Sequence, residues 1–108
     1  RPGRSGVTTD IRREGTASFR LRVPDGYWQS RDQPCRFPPI ATDGVYLEVA
    51  LTEAHCLEVF VDGPLGRAWT LTSAAITHDP PILRLAVTWD STAISLYLDG
   101  KRVAVAAV

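Results

Sequence analysis

The sequence of 108 residues contains no methionine and no asparagine, and it has only two cysteines. Without asparagine the chain has no acceptor for N-linked glycosylation, and two cysteines are too few for a disulfide-rich scaffold. Its apolar stretches are far shorter than a membrane span, which argues against a transmembrane helix. Because no methionine stands at the start, we expect Arg1 to begin a piece excised or processed from a longer protein. The sequence by itself does not indicate a cellular compartment.

Net charge is absent as well, since twelve basic residues balance twelve acidic ones. A neutral molecule does not concentrate nucleic acid or anionic lipid, so we predict no nucleic-acid partner and no membrane insertion. Residues 1–36 nevertheless hold eight arginines against four acidic residues, and residues 37–108 carry the opposite excess. Because the arginines form no dense run, we interpret them as solvated surface, with an anion-binding patch as the alternative.

The cysteines and histidines show no metal-binding spacing. Cys35 and Cys56 belong to no CxxC motif, and the sequence leaves open whether they form a disulfide or remain free buried thiols. His55 and His78 each lack a second ligand at helical or strand spacing. We interpret both histidines as polar surface or hydrogen-bonded core residues, with metal binding or catalysis as the less favoured alternative.

Length and composition fit one globular domain, with 44% hydrophobic and 22% charged residues. Residues 1–15 are polar, rich in glycine and arginine and without apolar periodicity, so we predict a flexible arm or linker there. The domain itself is predicted over residues 16–108.

Apolar and polar residues alternate in several short runs, the two-residue period of a strand with one buried face. The first run, at residues 16–23, predicts that Arg20 and Arg22 face water. Residues 24–39 hold four prolines and predict a long surface loop. Later runs predict further strands within residues 45–51, 56–63, 67–76, 83–89, 93–100 and 101–108.

Four Asp-Gly dipeptides, beginning at Asp25, Asp43, Asp62 and Asp99, each lie beside an alternating run and are typical hairpin signals. Residues 46–58 also contain helix formers with partial three-to-four spacing, so a helix is an alternative there, although alternate valines favour strands. With seven or eight short strands and no convincing helix, the predicted fold class is all-β, most simply an antiparallel β-sandwich.

Residues 83–105 read LRLAVTWDSTAISLYLDGKRVAV. They resemble the signature hairpin of laminin-G-like, concanavalin-A-like jelly-roll domains, in which a strand of the form VAVTWDG precedes LYVDGKLVA. Residues 86–90 match the first piece and residues 96–103 match the second. The resemblance implies a jelly-roll sandwich over about residues 16–108, an extracellular or cell-surface setting, and Trp89 in the core.

The sequence departs from the family pattern at two places. Residues 80–83 replace the tryptophan and histidines that usually lead into the VTWD strand, and the chain ends after VAVAAV, where the family continues through further strands. The resemblance therefore implies an abbreviated sandwich, or one completed by something else. Val103, Val105 and Val108 lie on a final strand with no charged residue after Arg102, and such an edge invites strand addition. We predict a homodimer joined through sheet edges or faces, or a second chain that completes the fold.

Related jelly-roll glycosidases carry a Glu-x-Asp-x-x-Glu strand, and residues 48–53 match it at Glu48 and Glu53 but have Ala50 in place of the aspartate. Retaining hydrolysis needs two carboxyl groups about 5 Å apart. Because the helper carboxylate is missing, we predict that the chain is not an enzyme. Two solvated glutamates are the simplest interpretation, and a catalytically dead glycosidase-like remnant is the least favoured.

The loop PDGYWQSRDQP offers Tyr27 and Trp28 beside four hydrogen-bonding residues, Gln29, Arg31, Asp32 and Gln33, and aromatic faces next to such groups suit sugar rings or peptide side chains. We predict the ligand site at Tyr27, Trp28, Gln29, Arg31 and Asp32. We place Trp28 outside the core, with Trp89 inside it. The alternative is that Trp28 covers the core from the loop.

No cofactor is predicted, although many laminin-G-like modules bind calcium through oxygen ligands. The candidate rim carboxylates here are mostly explained as turn formers: Asp43, Asp62, Asp79, Asp90 and Asp99. The leading functional hypothesis is a noncatalytic module of a larger chain that recognises a carbohydrate or a protein. A structural domain that acts in assembly is the alternative.

Overall fold

A computed structural model describes residues 14–30, 32–42 and 44–108, which form two antiparallel β-sheets. The first is named the terminal sheet and comprises β1 (Gly15–Arg22), β7 (Ile82–Trp89), β8 (Ala93–Leu98) and β9 (Lys101–Ala107), paired in that order. The second is named the central sheet and comprises β2 (Cys35–Arg36), β3 (Ile40–Thr42), β4 (Val45–Leu51), β5 (Cys56–Asp62) and β6 (Ala68–Ala75). In the central sheet β2 and β3 both pair with β4, and β5 and β6 follow. The predicted all-β antiparallel sandwich is confirmed.

The core lies between the two sheets and follows the alternation of the sequence. On β1 the side chain of Ala17 is buried while Arg20 and Arg22 are exposed, as predicted. Residues 46–58 form strands β4 and β5 joined by a turn, so the helical alternative is wrong. Burying one leucine or valine side chain contributes about 1.5–3 kcal/mol. Apart from Pro64, the largest fully buried side chains come from the two sheets: Leu47, Leu51, Leu57, Val59, Val61, Leu83, Val87, Ile94 and Leu96.

Turn chemistry explains how most strands reverse direction. Asp99 and Gly100 join β8 to β9 with φ of 52° and 82°, the left-handed conformation that an Asp-Gly hairpin requires. Gly63 follows β5 at φ 126°, and a Cβ there would lie 2.4 Å from the carbonyl oxygen of Gly44. Asp43 lies outside the described residues. The hairpin predicted at Asp25 is wrong, because β1 pairs with β7, far along the chain.

Residues 24–39 are not simply a surface loop. Cys35 pairs with Leu51 on β4, and the amide of Phe37 donates to the carbonyl of Val49. Pro38 and Pro39 then separate β2 from β3, since proline supplies no amide hydrogen to a sheet. The first part of this segment packs on the core.

The predicted arm falls mostly outside the described residues, and Gly15 already belongs to β1. Gly15 pairs with Trp89 across the terminal sheet. A Cβ at Gly15 would lie 2.6 Å from Cζ2 of the Trp89 ring, which no real contact allows. Glycine at this position therefore makes room for the indole of Trp89.

Candidate functional site

The predicted ligand residues Tyr27 and Trp28 lie in the hydrophobic core, with 5% and 9% of their surface exposed. The prediction that Trp28 lies outside the core is wrong, and the alternative that it covers the core from the loop is correct. Two hydrogen bonds to the segment before β7 explain the burial. The amide of Val23 donates to the carbonyl of Pro81, and Nε1 of Trp28 donates to the carbonyl of Pro80 at 2.7 Å.

His55 completes an aromatic cluster with these two residues. The Tyr27 and Trp28 ring centroids lie 4.9 Å apart, and the His55 ring is 5.1 Å from Tyr27 and 5.2 Å from Trp28. Nε2 of His55 lies 2.9 Å from the carbonyl oxygen of Ser30, and the Tyr27 hydroxyl donates to the carbonyl of Thr52. His55 is thus a hydrogen-bonded, half-buried residue that ties the loop to the turn between β4 and β5.

The electrostatics of this cluster keep the Tyr27 hydroxyl neutral. Burial raises the pKa of Tyr27 above its ordinary value, and charge on the Cys35 and Cys56 thiolates would raise it further. A neutral phenol donates a hydrogen bond at all physiological pH values. The Tyr27 hydroxyl therefore remains protonated and able to donate to the carbonyl of Thr52.

The structure does not bring the five predicted ligand residues onto one open face. Gln29 and Asp32 are exposed, whereas Arg31 lies outside the described residues. A hollow of about 340 Å³ does open on this loop, but Tyr27 is the one predicted residue that lines it. Its other walls include Gln33, which the loop pattern offered as a hydrogen-bonding group, and Ser30 and Cys35, which no sequence pattern indicated as site residues.

The two cysteines are free thiols. Cys35 pairs with Leu51 and Leu51 pairs with Leu57, so Cys35 stands two strand spacings, about 10 Å, from the row of Cys56. A disulfide requires Cα atoms within about 7 Å. The disulfide alternative is therefore excluded in this fold, and burial raises the pKa of the Cys35 thiol.

The glutamates of the glycosidase-like pattern occupy different local structures. Glu48 is exposed on β4 and accepts a hydrogen bond from the Tyr46 hydroxyl, which raises the pKa of Tyr46. Ala50 is buried, and Glu53 is exposed in the turn after β4. No carboxylate occupies the helper position between the two glutamates.

The candidate calcium ligands that the structure describes lie in turns or at strand ends. Asp90 holds the turn after β7 through three hydrogen bonds, and Asp79 and Asp99 adopt positive φ. Within residues 14–30, 32–42 and 44–108, no three His, Cys, Asp or Glu side chains are grouped to hold a metal ion.

A cleft of about 460 Å³ lies between the outermost strand of each sheet, β6 and β9. Its walls come from residues 73–78, 98–99 and 101–103, and no backbone pairing joins the two strands. Nε2 of His78 lies 3.9 Å from the Asp99 carboxylate at its rim, and Lys101 and Arg102 add two positive charges. The cleft is thus an open, positively charged gap between two sheet edges.

One hydroxyl in this cleft has a structural role. Ser73 is buried, and its Oγ accepts from the amide of Leu57 and donates to the carbonyl of Ala74. No base activates this hydroxyl among the contacts that the structure describes, so Ser73 stabilises the β5–β6 pairing. The sequence predicted the open β9 edge. The cleft also requires β6 to lie beside β9, and no local sequence pattern indicates that arrangement.

Comparison with known proteins finds no matching family model, curated protein or solved structure. In the part of the chain that the structure describes, no helix has the length and apolar character to cross a membrane. The resemblance to laminin-G-like domains thus rests on the residues of β7, β8 and β9 themselves.

Proposed function

We propose that this chain is a noncatalytic binding module that takes up an extended segment of a protein partner between β6 and β9. The observation that carries the proposal is the meeting of two unpaired sheet edges at one cleft. Unpaired backbone amides and carbonyls at a sheet edge bind an added strand, while pockets select its side chains. The resemblance of residues 83–105 to a family of binding domains supports the same role.

The other edges of the sandwich are protected. On the β1 edge Arg20 and Arg22 are exposed, and on the opposite sheet β2 and β3 are short and separated by Pro38 and Pro39. Charges, prolines and short strands block strand addition. By contrast β6 contains no charged residue, and β9 contains none after Arg102. Both β6 and β9 border the cleft, where Lys101 and Arg102 charge the start of β9 and the uncharged remainder of the strand leaves its edge open.

The lining of the cleft indicates the chemistry of the added segment. Ile76, Leu98 and Val103 supply apolar surface, and Lys101 and Arg102 supply positive charge at the rim. A complementary segment is extended and alternates apolar side chains, which enter the cleft, with acidic side chains, which meet the rim. Charge complementarity of this kind selects partners and speeds encounter more than it adds affinity.

Amide NMR shifts during titration with a capped peptide of alternating glutamate and valine test the proposal. We expect shifts at residues 68–78 and 99–107, and weaker binding of the matching lysine-valine peptide. Ala74→Lys on β6 should abolish the shifts. Ile82→Lys should not, because Ile82 is exposed on β7, an inner strand of the terminal sheet. Shifts confined to other surfaces, or none at millimolar peptide, would overturn the proposal.

A second candidate function, assembly of two copies through β9, is favoured by exposed apolar side chains on and beside that edge. Val105 is 52% exposed and Val108 is 36% exposed. Light scattering should show a dimer that Val105→Lys dissociates and Ile82→Lys leaves intact. A monomer at tens of micromolar that does not respond to Val105→Lys would refute assembly while leaving peptide binding unaffected.

A further inference from the structure

The outer faces of the two sheets carry opposite charges. The four strands of the terminal sheet contain five basic residues and no acidic one. The five strands of the central sheet contain three acidic residues, and Arg36 is their one basic residue. Because the core lies between the sheets, the two outer faces point in opposite directions. The sandwich therefore has a basic side and an acidic side.

The acidic side combines its carboxylates with two aromatic rings. Tyr46 stands directly across from Asp62, and Glu48 stands directly across from Phe60. These four side chains form a square on β4 and β5, named the aromatic-acidic square, in which rings and carboxylates occupy alternate corners. The Tyr46 and Phe60 ring centroids lie 6.4 Å apart, and the Tyr46 hydroxyl donates to Oε2 of Glu48. The square thus offers aromatic faces and negative charge to one incoming cation.

The positions beside the aromatic-acidic square leave it accessible to a flat surface. Ala41 on β3 lies across from Tyr46. Ala68 and Thr70 on β6 lie across from the two members of the square on β5. All three neighbours are exposed and small. An opposing sheet face can therefore reach the rings without meeting larger side chains at these positions.

The basic side presents arginines at a matching spacing. Arg20 on β1 stands directly across from Arg84 on β7, and Arg22 lies two residues further along the same face. All three side chains are exposed, and in the part of the chain that the structure describes no carboxylate forms an ion pair with them. Residues directly across a sheet have Cβ atoms about 5 Å apart, on this face as on the aromatic-acidic square. A guanidinium stacks on aromatic rings and forms paired hydrogen bonds with carboxylates, so the square suits this arginine pair.

We propose that copies of this chain stack face to face, with the basic side of one copy on the acidic side of the next. The pair formed by Arg20 and Arg84 then lies on the aromatic-acidic square of the neighbouring copy. Because the two sides point in opposite directions, this contact cannot close as a dimer and repeats from copy to copy. It leaves both the cleft and the β9 edge free, so it is distinct from peptide uptake and from assembly through β9.

The size of the faces makes the contact weak. A face of four strands about 4.8 Å apart, with about seven residues of about 3.4 Å each, measures about 450 Å². The two faces together bury about 900 Å², which is less than the area of about 1,200–2,000 Å² in stable interfaces. Stacking therefore requires high protein concentration. Because exposed charges hold it, salt should weaken it strongly.

Sedimentation equilibrium over a concentration series tests the inference. At low salt and millimolar protein we expect the average mass to rise beyond that of a dimer, and molar salt should remove this rise. Arg84→Glu and Glu48→Lys should each weaken stacking at least about tenfold, and an equimolar mixture of the two should associate again, because each retains the side that the other has lost. Tyr46→Ala changes no charge and should weaken stacking about threefold. Val105→Lys should leave stacking intact.

Charge reversals away from the two faces are the matched controls. Lys101→Glu at the rim of the cleft and Glu53→Lys in the turn after β4 should leave stacking unchanged. Thermal unfolding checks the fold, and we expect no destabilisation in Arg84→Glu because the new carboxylate lies across from Arg20. A parent chain whose mass never exceeds that of a dimer, or stacking that persists in molar salt, would overturn the proposal. So would losses in the controls equal to those in the test variants, or unchanged stacking in Tyr46→Ala.

Discussion

Trp89 and Trp28 are almost equally buried, with 7% and 9% of their surface exposed, but different interactions hold them in place. Trp89 ends strand β7 and packs against Gly15, and its Nε1 has no hydrogen-bond partner among the described residues. Trp28 lies in a turn, and its Nε1 donates to the carbonyl of Pro80 while its ring contacts Tyr27 and His55. The strand site depends on shape, and the loop site depends on directed polar contacts.

The difference shows how a loop without secondary structure becomes part of a core. A loop carries backbone polar groups that must be satisfied if it is buried. The segment meets this requirement with backbone bonds from the amides of Val23, Tyr27 and Ser30 to the carbonyls of Pro81, Pro24 and Tyr27. The His55 ring adds a contact to the carbonyl of Ser30. These contacts close one end of the sandwich, so the loop contributes to stability in the same way as a strand.

The largest effects are expected when either indole is removed. Trp89→Ala and Trp28→Ala should each lower the free energy of unfolding by about 3–5 kcal/mol, because each leaves a large cavity in the core. Urea unfolding measures both values. Trp69→Ala is the control, since Trp69 is only half-buried and has Arg67 over its ring at 5.3 Å. A loss near zero for Trp28→Ala would show that the loop site is not part of the core.

Phenylalanine substitutions separate shape from hydrogen bonding at the same two sites. Trp28→Phe leaves the Pro80 carbonyl unpaired, which adds about 1–3 kcal/mol to the loss of packing. Trp89→Phe removes an indole NH that has no partner in the described structure, so the hydrogen-bonding part of its effect should be favourable. Denaturant unfolding should therefore show a larger loss for Trp28→Phe. Equal losses would contradict the distinction between the two sites.

A smaller effect is expected from the hydroxyl that fastens the loop to the central sheet. Tyr27→Phe removes the donor to the carbonyl of Thr52 but keeps the ring against Trp28 and His55. The expected loss is about 0.5–1.5 kcal/mol, the usual contribution of one hydrogen bond. Thermal unfolding of Tyr46→Phe is a matched control, because the Tyr46 hydroxyl bonds Glu48 on the exposed surface. A loss no larger than that of Tyr46→Phe would show that the Tyr27 bond does not hold the loop.

The strand site could be predicted from sequence because burial on a strand repeats every second residue. Trp89 continues the series of Leu83, Leu85 and Val87, and all four are buried as expected. Trp28 has no such series, because turn residues follow no period, and its partner Pro80 lies 52 residues away along the chain. The aromatic pair in an otherwise polar loop was the one local signal of this burial.

The candidate sites could be predicted only in part, for the same reason. The absence of charged residues after Arg102 is visible in the sequence, so an open edge could be predicted at Val105. The position of β6 at the same cleft could not be predicted, because it depends on the strand order of both sheets. That order is set by contacts between residues that are distant in sequence. The pairing of Arg20 with Arg84 likewise requires β1 to cross to β7.

The smallest expected effect on stability comes from the turn after Trp89. Directed hydrogen bonds hold this turn, although the Trp89 side chain itself has none among the described residues. Oδ1 of Asp90 accepts from the amide and hydroxyl of Thr92, each at 2.7 Å, and from the amide of Ala93 at 2.9 Å. These bonds, the one from the Thr92 hydroxyl first, lower the pKa of Asp90 below its ordinary value. A lowered folded pKa means that the carboxylate stabilises the fold above the unfolded pKa of about 3.9, and that this stabilisation is lost as the pH falls through the folded value.

Asp90→Asn keeps an acceptor oxygen but removes the charge, so it should be slightly less stable than the parent chain at neutral pH and equally stable once the parent carboxylate is protonated. Thermal unfolding from neutral pH to about pH 2 measures this convergence. Thr92→Ala removes one of the three bonds and should shift the melting temperature by less than Asp90→Asn. A difference between parent and Asp90→Asn that persists unchanged at the lowest pH would show that geometry rather than charge holds the turn.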